Sequence, residues 1–342
     1  SLWWPTLARN KKSVTVNLRE KKGQEIVRKL LASADGLIEN FKPGTLEKWG
    51  MSPEELHKIN PKLIIVRVSG FGQTGPSANR PGFASIGEAM GGIRFINGFP
   101  NTPPPRFGIS LGDTLTAMFA VEGFLMALFE REKNNGKGQI VDAAITESCF
   151  SMLESTLTEY DKCGIIRKPS GTGLANVAPS NIYPTLDENF VVVAANLDPM
   201  FKRLCEAMDK VEWASDPRFI DHKARGDNAS ELDSLISDWT KTLTMKDIGQ
   251  KLDDHGVVWG PINSIEDIVE DEQFKSREMI LEIDDETFGS LKVPGIVPKL
   301  SKTPGKVNWL GPQKVGSHNN EVLSELGFSD EDQKELLDKK II

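Results

Sequence analysis

The residues that could do chemistry begin with a carboxylate. Gly108-Ile109-Ser110-Leu111-Gly112-Asp113 closes a Gly- and Pro-rich stretch and places Asp113 at the mouth of an apolar run that reads as a helix. An Asp there commonly caps the helix, a role that stabilises by roughly 1 kcal/mol. The other role is a carboxylate nucleophile, kept ionised by the positive end of the helix and exposed by the glycine before it. One residue can fill both roles, and spacing alone leaves both open.

A second motif, Gly70-Phe71-Gly72-Gln73-Thr74-Gly75, spells the dinucleotide fingerprint GxGxxG after a strand-like run. That fingerprint needs a helix to start at once, so that its amides hold pyrophosphate. Here Pro76 to Gly82 reads as loop, and no acidic residue ends a second strand about 20 residues on. A flexible glycine loop over a ligand or catalytic group fits better than a nicotinamide site. Asn10, Lys11, Lys12, Arg19, Lys42, Lys48 and Arg80 cluster at strand ends of the first layer, where open α/β sheets bind ligands, and would suit a phosphate-rich one. His57, His222, His255 and His318 are too dispersed for a metal pair, so no metal site is expected. Cys149, Cys163 and Cys205 form no CxxC and have no nearby His; they read as reduced thiols in a cytoplasmic compartment.

The elements that must position these residues follow from periodicity. The 342-residue chain carries a formal charge of −8, which argues against a nucleic-acid or polybasic membrane surface. Thr116 to Phe129 carries Glu122 and falls short of the ~20 apolar residues that span a bilayer. Strands are expected at 13–17, 36–41 and 63–68, with helices at 23–34 and from Ser52, where Pro53 and Glu55 complete a capping box. Alternating strands and helices predict an α/β fold with parallel pairing. Beyond them come a long loop over 70–107, a helix over 113–132, a turn at 134–138, a strand at 139–143 and a helix over 146–160. A second glycine loop, Ser170-Gly171-Thr172-Gly173, precedes a strand at 190–195, helices at 198–208, 230–241 and 245–255, and a strand at 290–293. Ser329, with Asp332 three residues on, opens a last helix. The chain divides into a large domain, 1–186 with 295–342, and a smaller α+β domain, 187–294.

Asn10-Lys11-Lys12-Ser13, Glu39-Asn40-Phe41-Lys42-Pro43-Gly44, Ser69 to Pro76, Arg80-Pro81-Gly82-Phe83, Gly112-Asp113, Gly136-Lys137-Gly138-Gln139 and Glu321 to Gly327 occur in an order that resembles the class III CoA-transferases, the formyl-CoA transferase (CaiB/BaiF) family. The resemblance implies a Rossmann-like open parallel sheet and an interlocked homodimer. It implies coenzyme A and acyl-CoA as substrates, with no permanently bound cofactor, and Asp113 as the residue that forms anhydride and CoA-thioester intermediates. It places Asn17, Leu18, Arg19, Asn40, Phe41, Lys42, Lys48, Pro81, Gly82 and Phe83 in the CoA site, and the loop 171–173 is a candidate shield for the intermediates. The stretches 87–92 and 110–113 look most similar to members acting on dicarboxylates such as succinate and malate.

Three departures stand out. An N-terminal strand–helix–strand segment of the family is expected to be missing, which allows a catalytically idle fragment as an alternative. Ala84 stands where relatives carry an acidic residue, so no second carboxylate is expected there. Ala117 replaces a frequent glycine. Acyl-CoA racemases of the same fold need a histidine at the position of Phe83, and phenylalanine cannot carry a proton.

Overall fold

Apolar runs and helix signals in the first 150 residues close into a three-layer arrangement around a parallel sheet. The computed structural model describes residues 1–133, 136–174 and 176–342. Strands β1 (Gly36–Glu39), β2 (Ile64–Ser69) and β3 (Ile140–Ala144) lie in the order β1-β2-β3, all parallel, with Gly36 opposite Ile64 and Ile65 opposite Ile140. Ile64, Ile65 and Val66 of the central strand are fully buried, as an unbroken apolar run in a doubly covered strand requires. Ile65 packs with Leu31, Leu46, Met51 and Leu56 on one side; Ile64 and Val66 pack with Ala120, Ala127 and Ala143 on the other.

Local chemistry sets the element ends. The Ser52 hydroxyl accepts the N–H of Glu55, with Pro53 first in the helix Pro53–Ile59. Its stop, Asn60, is buried; its amide donates to the carbonyls of Leu31 and Ala34 at 2.9 Å and accepts the N–H of Lys62 at 3.0 Å. One side chain thereby closes the end of the helix Lys21–Leu31 and orients the entry to β1. At the far end of the chain, Ser329 and Asp332 form a reciprocal capping box on the helix Asp330–Asp338.

Two units emerge, each described by itself. The first comprises 1–91, 109–151 and 266–342; the second comprises 92–108 and 152–265. The second is built on an antiparallel sheet of β4 (Ser180–Pro184), β5 (Phe190–Ala194) and β6 (Trp259–Pro261), in that order. Val191 and Val193 of β5 enter a core with Phe201, Leu204, Leu232, Ile236 and Ile248 from the helices Asp198–Ala207, Ala229–Thr240 and Met245–Asp254. The boundaries differ from 187 and 294. β4 pairs with β5 along its whole length, which takes 152–186 into the second unit. The hairpin β7 (Ile280–Asp285) and β8 (Gly289–Pro294) belongs to the first, where the Arg9 guanidinium donates to the Pro294 carbonyl.

Three local readings are corrected. Residues 13–17 are extended but join no sheet; the N–H of Ser13 goes to His318 Nδ1 at 2.9 Å, that of Thr15 to Asn319 Oδ1 at 2.8 Å and that of Asn17 to the Ile341 carbonyl at 2.7 Å. The 70–107 stretch is not one loop, because the proline-free segment within it forms the helices Ala84–Met90 and Ile93–Ile96. The helix expected over 146–160 breaks into Ile145–Phe150 and Thr156–Cys163, with Glu154 between them in left-handed backbone at φ 50°. Of the turn at 134–138, Asn134 and Asn135 lie outside the described residues.

Replacing Asn60 by Ala leaves the buried Leu31 carbonyl and the half-buried Ala34 carbonyl without their donor. The expected result is a loss of about 2 kcal/mol in urea unfolding at unchanged denaturant slope; an unchanged midpoint would show that Asn60 does not hold this junction.

Candidate functional site at the carboxyl edge of the parallel sheet

In a parallel sheet the loops that follow each strand converge at one edge. After β2, the N–H of Gly72 goes to Ser69 Oγ at 2.9 Å, and that of Gln73 goes to Asp142 Oδ2 of β3 at 2.9 Å. The Thr146 hydroxyl donates to the Gly70 carbonyl at 3.1 Å, so the glycine loop is tied to β3 and the helix after it. No helix opens at the loop; residues 76–80 form turns, and the fingerprint lacks the helix that would hold a pyrophosphate. Gly82 backs onto Gly70 so closely that a Cβ on either would sit 3.0 Å from the other's Cα. The Arg80 guanidinium stacks over Phe71, 5.2 Å from its ring centre. Pro81-Gly82-Phe83 thus borders the glycine loop, with Phe83 76 % exposed.

The helix Ala84–Met90 follows directly, and Gly112, the residue before Asp113, is set against it. Asp113 stands third in the helix Leu111–Lys133, within the first turn rather than at the cap, and is exposed. Gly112 before it is buried; a Cβ there would meet Glu88 Cγ and Ile145 Cγ2 at 3.2 Å and the Ala84 carbonyl oxygen at 3.3 Å. Its N–H donates to Glu88 Oε1 at 3.1 Å. Glu88 is only 1 % exposed, and its Oε2 is buried with no hydrogen-bond partner among the described residues. The buried Cys149 thiol is pushed up to about 11, chiefly by burial and then by the negative charges of Glu88 and Asp113. A thiol so placed stays protonated, which agrees with the weak case for a cysteine nucleophile. Ala84 carries no carboxylate, as expected, but Glu88 four residues on brings one to the same helix face. Sequence reasoning missed Glu88; its spacing from Ala84 within an unrecognised helix was the available signal.

Contacts therefore link the loop 70–75 to residues 81–83, and the helix that follows these to Gly112, the neighbour of Asp113 in the chain. The remaining CoA candidates gather around β1 and the helix Lys21–Leu31. Asn40, Lys42 and Lys48 are exposed; Phe41 packs edge-on against Trp49 at 5.2 Å, and its N–H goes to Glu39 Oε2 at 2.7 Å. Asn17 Oδ1 accepts the N–H of Arg19 at 3.1 Å, the Leu18 carbonyl accepts from Gln24 at 3.1 Å, and Arg19 is exposed. Part of the expected basic cluster is engaged elsewhere: Lys12 pairs with Glu321 at 2.9 Å and is raised above its ordinary value by that hydrogen bond, while Asn10 bonds Lys306 and Asn308. His57 Nε2 meets the Leu63 carbonyl and His318 Nδ1 accepts from Ser13, both supporting roles. No group of metal-ligating side chains occurs among the described residues.

The floor beneath Phe41 is a buried ion network. Arg67 Nε bonds Glu39 Oε1 at 2.7 Å, and Arg67 Nη1 bonds Glu47 Oε1 at 2.7 Å. Burial, the largest influence on Glu47, raises its carboxyl, but the Arg67 hydrogen bond, the backbone N–H and the Arg67 charge together bring it below 4.5. A carboxyl depressed in the folded state stabilises above its unfolded value, and that contribution fades as pH falls through the folded one. Arg67→Met should lose about 3 kcal/mol at pH 7, because Glu39 is left buried and unpaired. The gap to the parent should narrow at pH 4 in urea unfolding, and a gap that stays constant would contradict the assignment.

Comparison with known proteins places this geometry. The model of CoA-transferase family III matches residues 1–319. A succinyl-CoA–D-citramalate CoA-transferase of Chloroflexus aurantiacus is 49 % identical, covering 100 % of this chain and 85 % of that protein. A succinate–glutarate CoA-transferase of Agrobacterium fabrum is 34 % identical over 93 % of this chain and 79 % of that one. A solved CAIB/BAIF family protein of Brucella suis superposes with a TM-score of 0.83 at 33 % identity, covering 95 % of this chain and 84 % of that chain.

Proposed function

Because the chain belongs to CoA-transferase family III, we propose that it moves coenzyme A from an acyl-CoA donor to a small dicarboxylate through covalent intermediates on Asp113. The observation that carries this reading is an exposed carboxylate in the first turn of a helix, set at the carboxyl edge of a parallel sheet by a glycine packed against Glu88, Ile145 and Ala84. The positive end of the helix favours its charge.

The steps balance without an external acid or base. An Asp113 oxygen attacks the thioester carbonyl, the C–S bond breaks, and CoA leaves as thiolate from a mixed anhydride. The thiolate returns to the Asp113 acyl carbon, releasing the donor acid and leaving an aspartyl-CoA thioester. The acceptor carboxylate attacks that thioester, expels the thiolate and forms a second anhydride. Attack of thiolate on the acceptor acyl carbon gives the new thioester and restores Asp113. A weak carboxylate nucleophile succeeds here through positioning.

Asn17, Leu18, Arg19, Asn40, Phe41, Lys42, Lys48 and 81–83 are the candidate CoA contacts, with cations suited to phosphates and Phe41 to an adenine face. Succinyl-CoA, malate, citramalate and related dicarboxylates are the first substrates to test, on the strength of the relatives' names. Phe83 offers no proton relay, so racemase chemistry is disfavoured. The free thiols fit a cytoplasmic compartment.

The helix Leu111–Lys133 supports the dimer reading. It is long and apolar enough to cross a bilayer by length and composition, yet Ala120 and Ala127 pack on the sheet while Met118, Val121, Leu125, Met126 and Phe129 stand exposed. A second copy of the chain is the proposed cover for this face, as an interlocked homodimer would provide.

Asp113→Asn should abolish turnover while leaving the circular-dichroism spectrum and melting temperature close to the parent. Turnover surviving in that variant removes Asp113 from the reaction. Light scattering should give twice the chain mass, and Met126→Lys should lower it; a monomeric parent would refute the dimer.

A further inference from the structure

A buried carboxylate with one oxygen unsatisfied is an unfavourable thing for a fold to keep. Glu88 is such a group: its side chain is enclosed, Oε1 takes the Gly112 N–H at 3.1 Å, and Oε2 is left without a partner among the described residues. The residue it grips is the one before Asp113. We propose that Glu88 is a positioning residue of the acyl-transfer site, fixing the first turn of the helix Leu111–Lys133 so that the Asp113 carboxylate faces the thioester. The proposal rests on the covalent role of Asp113.

Two effects follow from the placement. The Gly112 N–H is among the first donors of the helix, for which no helical acceptor exists, so the carboxylate acts as its cap from a neighbouring helix. Without it, the first turn can tilt, and small misplacements of a nucleophile lower rates by factors near a hundred. The unpartnered Oε2 also costs stability, a cost the fold keeps together with that hold on Gly112. The other titratable groups facing this place are few. Cys149 comes from the helix Ile145–Phe150, on which Glu147 is exposed, and the helix Ala84–Met90 has no titratable residue besides Glu88.

Glu88→Ala and Glu88→Gln separate positioning from simple support. Glu88→Ala should lower kcat about 10- to 100-fold with KM for succinyl-CoA within about threefold. Glu88→Gln keeps an acceptor for Gly112, so kcat should recover in part. Its melting temperature should stay level or rise, because an amide is less costly than a carboxylate to bury with one oxygen unpartnered. Unchanged kcat in Glu88→Ala, no recovery of kcat in Glu88→Gln, or activity losses that merely follow melting temperature would each overturn the proposal. The parent is incubated with succinyl-CoA and its peptides weighed alongside. A missing Asp113 adduct there would bring down the covalent reading and Glu88 with it, whereas an adduct together with parental kcat in Glu88→Ala would bring down Glu88 alone.

Discussion

The arrangement depends on how closely two helices and one strand exit approach each other at Gly112. A single methyl group there would stand 3.2 Å from both Glu88 Cγ and Ile145 Cγ2 and 3.3 Å from the Ala84 carbonyl oxygen. Interiors packed at crystal density absorb such an insertion only where the neighbours give way by a few tenths of an ångström. The preference for glycine here therefore comes from close contact, and its backbone is not left-handed. That contact fixes the start of the helix Leu111–Lys133 against Ala84–Met90, and the exposed side chain of Asp113 comes next in the chain.

Much of this was legible in the residues. The apolar run 63–68 announced a doubly covered strand, and the Ser52-Pro53-Glu55 signal gave a helix start; both stand in the structure. The motifs at 69–76, 80–83 and 112–113 carried the family resemblance, which the family model bears out. What failed did so where the deciding partner lies far along the chain. Residues 13–17 look like a strand by composition, yet their donors go to His318, Asn319 and Ile341, some 300 positions away. Frequent glycine and proline hid the helix Ala84–Met90, and with it Glu88, whose meaning comes only from burial and the N–H it accepts. Lys12 was legible as a cation but not as one already paired with Glu321.

Exchange of CoA between two acids needs little driving force, since one thioester is traded for another. The demand falls on holding reactive acyl groups where the next nucleophile reaches them before water does. In the proposed route, a carboxylate carried by a helix whose base packs into the core would meet the positional part of that demand, while the glycine loop tied to β3 lies beside the Pro81-Gly82-Phe83 segment that leads into the helix Ala84–Met90. The ion network of Arg67 with Glu39 and Glu47 plays the corresponding part under Phe41, where rigidity comes from buried charge pairing.

Isotope transfer tests the covalent route most directly. Turnover with succinyl-CoA and an acceptor dicarboxylate labelled with 18O in its carboxylates should leave one labelled oxygen on the Asp113 side chain, because the second anhydride breaks on the acceptor side. Mass spectrometry of the peptide containing Asp113 should show a gain of about 2 Da for a single exchange. Label that passes into the product thioester and never appears on Asp113 would contradict the route.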